Sequence, residues 1–143
     1  MKKKLNCILL VDDNEYDNFL NKRLIKQADI AEHIEVAENG LEALDFLIGK
    51  VKNGLPGNAY CQPELIILDI NMPVMDGWQF LEEFNKHEDL KKVITVIIML
   101  TTSVNPADVA KTEKIFGKAH YHYKPLTLEM INEIITEHFP ENL

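Results

Sequence analysis

Five polar residues that could act together come shortly after runs of apolar residues along this sequence. They are Asp12, Asp13, Asp69, Thr102 and Lys124. Two like charges about 4 Å apart repel each other by roughly 4 kcal/mol at an effective dielectric constant of 20, so three clustered carboxylates need a cation. Mg²⁺ accepts oxygen ligands from one or two carboxylates together with a phosphate group. If the fold collects them, these residue types predict Mg²⁺-dependent phosphoryl transfer to an aspartate.

The segment from Pro63 to Gly77 indicates which aspartate is the nucleophile. Residues 65–68 form a short apolar run, typical of a strand buried on both faces. Asp69 therefore ends a central strand, where the ligands of open α/β sheets bind, and a loop stiffened by Pro73 follows. We assign Asp69 as the nucleophile.

The acidic pair Asp12 and Asp13 is predicted to hold the metal together with Asp69. Because Asp12 and Asp13 are adjacent, their side chains diverge, and only one of them can point straight at the ion. We expect Asp13 to bind the metal directly and Asp12 to bind it through water.

Apolar runs and amphipathic segments alternate along the chain and predict how these residues are positioned. The predicted strands are Leu5–Val11, His33–Ala37, Leu65–Leu68, Val93–Leu100 and Ala119–Tyr123. The predicted helices are Glu15–Ala28, Leu41–Ile48, Trp78–Lys86, Asn105–Phe116 and Thr127–Phe139. Strands separated by helical crossovers pair in parallel, so the fold class is α/β, a doubly wound five-stranded parallel sheet with five helices. The order 2-1-3-4-5 is a common solution, and it brings the strand ends to one edge.

Composition excludes several classes of function. The net charge of −8 argues against a nucleic-acid partner, since phosphate backbones require clustered basic residues. No apolar stretch approaches the roughly 18 residues that cross a membrane. Cys7 and Cys61 show no metal or disulfide spacing, which indicates a reducing compartment, and we expect a cytoplasmic protein. The length predicts a single domain over 1–143, with an extended loop at 49–62.

Four segments resemble the receiver domain of two-component response regulators. They are LVDD at 10–13, DINMPVMDG at 69–77, LTT at 100–102 and YHYKP at 121–125. The match covers essentially the whole chain, in the order of the family and at near-family spacing. It implies a flavodoxin-like receiver fold without an output domain. The long 49–62 loop is similar to that of the stand-alone receivers that serve phytochrome-type kinases.

The resemblance also implies a role for individual residues. Asp69 would be the phospho-acceptor, and Thr102 rather than Thr101 the switch hydroxyl, with Tyr121 as the switch aromatic. The remaining roles are the metal ligands Asp12, Asp13, Asp69 and the backbone carbonyl of Asn71, and the phosphate-binding residues Thr102, Ser103 and Lys124.

The resemblance implies partners of two kinds, and two other functions stay open. A histidine kinase or histidine phosphotransfer protein would donate the phosphoryl group, and the 105–139 face would change to engage a downstream protein. A second copy of the chain, forming a homodimer, is a further possible partner. Such a protein catalyses only its own phosphorylation and dephosphorylation. The alternatives are a phosphorylation-independent binding module on a receiver fold and a haloacid-dehalogenase-like hydrolase, although the latter requires an aspartate where Asn71 stands.

Overall fold

The computed structural model describes residues 4–53, 63–72, 74–102, 106, 107, 110, 114 and 119–142. Its strands are β1 (Leu5–Val11), β2 (Ala31–Ala37), β3 (Leu65–Asp69), β4 (Val96–Thr101) and β5 (Ala119–Tyr123). Its helices are α1 (Glu15–Ala28), α2 (Gly40–Asn53), α3 (Gly77–Phe84), α4 (Glu88–Val93) and α5 (Leu128–His138), followed by a 3₁₀ turn at Pro140–Asn142.

The strands form one parallel sheet in the order β2-β1-β3-β4-β5, which confirms the predicted fold class and strand order. Val11 lies opposite both Ala37 and Leu68. Asp69 lies opposite Leu100 at the end of the neighbouring strand. The carboxyl ends of the strands therefore lie along one edge of the sheet.

The sheet separates two apolar layers because successive strand residues point to opposite faces. On one face, Leu9, Ile66 and Ile97 pack with the buried residues of α2, α3 and α4. On the other face, Ile8, Ile67 and Ile98 pack with buried residues of α1 and α5. Among the described residues, no helix combines the length and the apolar character needed to cross a membrane.

The predicted strand Val93–Leu100 is wrong at its start, because Glu88–Val93 is helical and β4 begins at Val96. The short helix has acidic residues in its first turn and lysines in its last, an arrangement that suits the helix dipole. The backbone N–H of Ile94 then donates to the carbonyl of Leu90 at 3.1 Å. Val93 and Ile94 extend the apolar run by composition alone.

The prediction of an extended loop at 49–62 is wrong for its first five residues, since α2 continues to Asn53. A glycine inside a helix costs only about 1 kcal/mol relative to alanine, so Gly49 does not end the helix. Residues 54–62 lie outside the described part of the chain. Most of the predicted helix Asn105–Phe116 also lies outside it, although positions 106, 107, 110 and 114 are helical.

Candidate functional site

The turn after β1 fixes Asp12 at the edge of the sheet. The backbone N–H of Asn14 donates to Asp12 Oδ1 at 2.9 Å. The side-chain amide of Asn18 donates to the backbone carbonyl of Asp12 at 2.8 Å. Asn14 also caps α1, because its side chain accepts from the second and third residues of the helix. The buried Asp12 carboxylate is therefore held by the helix that follows it.

Asp69 ends the central strand β3 and is buried. The backbone N–H of Asn71 lies 3.4 Å from Asp69 Oδ1. The loop then turns back closely, since the N–H of Gly77 donates to the carbonyl of Ile70 at 2.8 Å. A Cβ at Gly77 would lie 2.9 Å from Ile70 Cα, so the turn that carries Asp69 into α3 requires glycine.

The same loop contains a strained residue. Val74 has a φ of 70°, in the left-handed region, and its relative exposure is 74%. β-Branched residues rarely adopt this conformation, which costs about 1–2 kcal/mol for L-residues. Because the Val74 side chain is mostly exposed, its burial contributes too little to offset this cost, and the loop beside Asp69 stores backbone strain.

Lys124 reaches across the sheet edge from the end of β5. Its backbone N–H donates to the carbonyl of Thr101 at 2.8 Å, which anchors the segment. Its Nζ lies 3.2 Å from Asp12 Oδ2 and 3.3 Å from Asp69 Oδ1. A third carboxylate, Asp17 Oδ2 on α1, is 3.6 Å away. One ammonium group is therefore shared among three acids, one directly after β1, one at the end of β3 and one on α1.

Asp12, Asp13 and Asp69 form a compact acidic cluster. One carboxylate oxygen from each lies within 4.8 Å of the others. Burial raises the pKa of Asp12 and of Asp69, and the attraction of Lys124 offsets this only in part. Burial also opposes the charge of Lys124, but Asp69 and Asp12 outweigh it and raise the pKa of the lysine. The site is short of positive charge, and the hard oxygen ligands fit a divalent cation.

The two threonines after the apolar part of β4 have different surroundings. Thr101 is buried in the strand, whereas Thr102 is exposed directly behind it. Thr102 and Lys124 line one groove of about 640 Å³ beside α1. Ser103, predicted to bind phosphate, lies outside the described residues. The Tyr121 ring lies 5.9 Å, centroid to centroid, from the ring of Trp78 on α3.

The structure thus brings Asp12, Asp13 and Asp69 together, with Lys124 in contact with Asp12 and Asp69 and Thr102 on the groove beside Lys124. Sequence reasoning missed Asp17 and the contact of Asn18 with the Asp12 carbonyl. Both residues lie in the first turns of the helix after β1, and helix N-terminal turns lie near a strand-end site in this fold class. Their position in these turns indicated that they lie near the site, but it does not determine which side chains point toward it.

Comparison with known proteins identifies the family. The response regulator receiver domain matches residues 8–136. Response regulator Rcp1 of Synechocystis sp. is 36% identical over 104 residues, which make up 71% of this chain and 65% of Rcp1, so the match spans just under two thirds of that relative.

Solved structures agree with the sequence match. A two-component response regulator from Cytophaga hutchinsonii has a TM-score of 0.81 at 29% identity, covering 97% of this chain and 100% of its own. The bacteriophytochrome response regulator AtBRR has a TM-score of 0.74 at 26% identity, covering 95% and 94%. The Mn²⁺-bound form of Rcp1 has a TM-score of 0.69 at 28% identity, covering 94% of each chain. The chain belongs to the response regulator receiver domain family, whose members are phosphoacceptor switches of two-component signalling.

Proposed function

We propose that Asp69 is the residue of this chain that takes the phosphoryl group. The supporting observation is that Asp69 belongs to both parts of the site. Its carboxylate lies within 4.8 Å of the oxygens of Asp12 and Asp13 and 3.3 Å from Lys124 Nζ. It also ends the central strand β3, at the carboxyl edge of the sheet where the ligands of open α/β sheets bind.

We further propose that the divalent cation is Mg²⁺. The carboxylates of Asp12, Asp13 and Asp69 and the backbone carbonyl of Asn71 would hold it. Asp13 is exposed and free to bind directly, whereas Asp12 already accepts from Asn14 and pairs with Lys124, which suits contact through water. When bound, the ion supplies positive charge for the oxygens of the transferred group.

In the proposed reaction an Asp69 oxygen attacks the phosphorus atom of a phosphohistidine, and the bond from phosphorus to the imidazole nitrogen breaks. The donor is a histidine kinase or a histidine phosphotransfer protein. Lys124 neutralises charge on the transferred oxygens, while the Thr102 hydroxyl and the Ser103 backbone N–H donate to them. The chain would catalyse this step on itself alone, in the cytoplasm, and likewise its own dephosphorylation, in which water attacks the aspartyl phosphate and inorganic phosphate leaves.

The switch would pass from the phosphoryl group to the 105–139 face. A phosphoryl group adds a charge near −2 and three strong acceptor oxygens at the end of β3. Thr102 moves toward it, and Tyr121, now beside Trp78, follows. Charge-assisted hydrogen bonds of about 1.5–3 kcal/mol each would supply the roughly 5.5 kcal/mol needed to invert a 1:99 equilibrium. A downstream protein, or a second copy of the chain, would read the altered face.

Intact-mass measurement after incubation with acetyl phosphate and Mg²⁺ tests this function. We expect a gain of one phosphoryl group, which is absent with EDTA and absent in Asp69→Asn. Asp76→Asn is the matched control, because it removes an acid from the same loop while keeping an oxygen to cap α3. It should still gain the group. No gain in the wild type would favour a phosphorylation-independent binding module, and phosphate release without an adduct would favour a hydrolase.

A further inference from the structure

Lys124 has a partner that the proposed chemistry leaves unused. Asp17 Oδ2 lies 3.6 Å from Lys124 Nζ, only slightly farther than the oxygens of Asp12 and Asp69. The exposed fraction of the Asp17 side chain is 38%, against 5% for Asp12 and 8% for Asp69. Lys124 therefore pairs with two buried acids on one side and with a partly hydrated acid on another.

Asp17 differs from the other two acids in its place in the fold. It stands in the first turn of α1 and lines the groove beside α1 together with Thr102 and Lys124. Asp12 and Asp69 lie at strand ends and belong, with Asp13, to the acidic cluster that could hold a cation. An ammonium group in contact with both of them repels that cation and competes for their oxygens.

We propose that Asp17 is a positioning residue, which draws the Lys124 ammonium toward the groove and away from Asp12 and Asp69 when those acids take a divalent cation. The inference rests on the proposed function for the position of the cation site. Lys124 would then lie in the groove that Thr102 also lines, where both residues could contact a transferred phosphoryl group. Without Asp17, the ammonium stays on the metal-binding acids.

A double-mutant cycle on cation affinity tests this role without any phosphodonor. Free Mn²⁺ is followed by electron paramagnetic resonance in titrations of the wild type, Asp17→Asn, Lys124→Met and the double variant, and Mg²⁺ competition repeats each titration. Glu15→Gln is the matched control, since it removes an exposed acid from the same helix turn. Asp17→Glu tests rescue, and urea unfolding in EDTA reports any loss of fold.

We expect Asp17→Asn to weaken Mn²⁺ binding about fivefold, the upper range for a partly exposed ion pair, and Glu15→Gln to weaken it about twofold or less. In the Lys124→Met background the Asp17→Asn effect should shrink to that of the control, and Asp17→Glu should restore affinity. An equal loss with and without Lys124 would overturn the inference, because Asp17 would then act through charge or fold alone.

Failure of the inference and failure of the proposed function give different results. If the wild type binds Mn²⁺ but gains no phosphoryl group, the phosphoacceptor role fails while the cycle still decides the role of Asp17. If the wild type binds no Mn²⁺, the cation site and the inference fall together. An additive cycle in a chain that is phosphorylated overturns the inference alone.

Discussion

Replacing Lys124 by methionine should destabilise the metal-free protein much more than the metal-bound protein. In metal-free protein the Lys124 ammonium is the charge that compensates Asp12 and Asp69, at 3.2 and 3.3 Å. Methionine keeps most of the side-chain volume but leaves these buried carboxylates without that partner. A divalent cation in the acidic cluster supplies positive charge again, and it no longer competes with the lysine.

The magnitude follows from the geometry. Each pair is worth about 5 kcal/mol of attraction at an effective dielectric constant of 20, and the desolvation of Lys124 offsets much of the sum. Removing one partner of a fully buried pair costs about 3–5 kcal/mol, and this site lies at the open edge of the sheet, so we expect about 2–3 kcal/mol. At about 3 °C per kcal/mol for a chain of this size, Tm should fall by roughly 6–9 °C.

The assay is thermal unfolding of the wild type and Lys124→Met in EDTA and in saturating Mg²⁺. The cation stabilises both proteins, so the difference shrinks only because Lys124→Met, without a competing ammonium group, binds Mg²⁺ more tightly. At the same free Mg²⁺, a Kd about 30-fold lower than that of the wild type would offset about 2 kcal/mol of the loss. Lys86→Met is the control, because its ion pair with Glu83 is exposed and should contribute less than about 1 kcal/mol in either buffer. Equal losses of Tm in EDTA and in Mg²⁺ would refute the account of the charge deficit.

Two further predictions concern the loop and pH. Because the folded-state pKa of Asp69 is raised by burial, its contribution to stability is present below the ordinary pKa near 3.8 and is lost as pH rises through the folded value. The Tm of Asp69→Asn minus that of the wild type, measured in EDTA, should therefore increase from pH 4 to pH 7. A difference that does not change with pH would show that burial does not raise the pKa of Asp69. Val74→Asn should raise Tm by about 2–3 °C by relieving the positive φ, whereas Val36→Asn, at an exposed strand position, should not, and an unchanged or lower Tm for Val74→Asn would contradict the strain.

The parallel sheet could be predicted because its central strands are buried on both faces. Runs such as residues 65–68 are apolar without interruption, which separates them from the charged helices between them. The ends of helices and strands were harder to predict where the residue composition and the backbone conformation disagree. Val93 and Ile94 are as apolar as β4, yet the helix Glu88–Val93 takes Val93, and Gly49 does not end α2.

The site was predictable to the extent that strand ends position it. Asp69 is the last residue of β3, and Asp12 and Lys124 come directly after β1 and β5, so topology alone brings them together. Asp17 and Asn18 act from a helix, where the direction of a side chain depends on how the helix is rotated against the sheet. The hydrophobic pattern of α1 does not specify that rotation closely enough to place a carboxylate 3.6 Å from an ammonium group.

The position of the phosphoryl group on the chain decides whether Asp69 is the phospho-acceptor. The protein is incubated with acetyl phosphate and Mg²⁺, a phosphorylated aspartate is reduced to homoserine with borohydride, and peptide mass spectrometry finds the converted residue. We expect conversion at Asp69 alone, and we expect it to be lost when EDTA replaces Mg²⁺. Conversion at Asp12 or Asp13, or phosphorylation without conversion at Asp69, would contradict it.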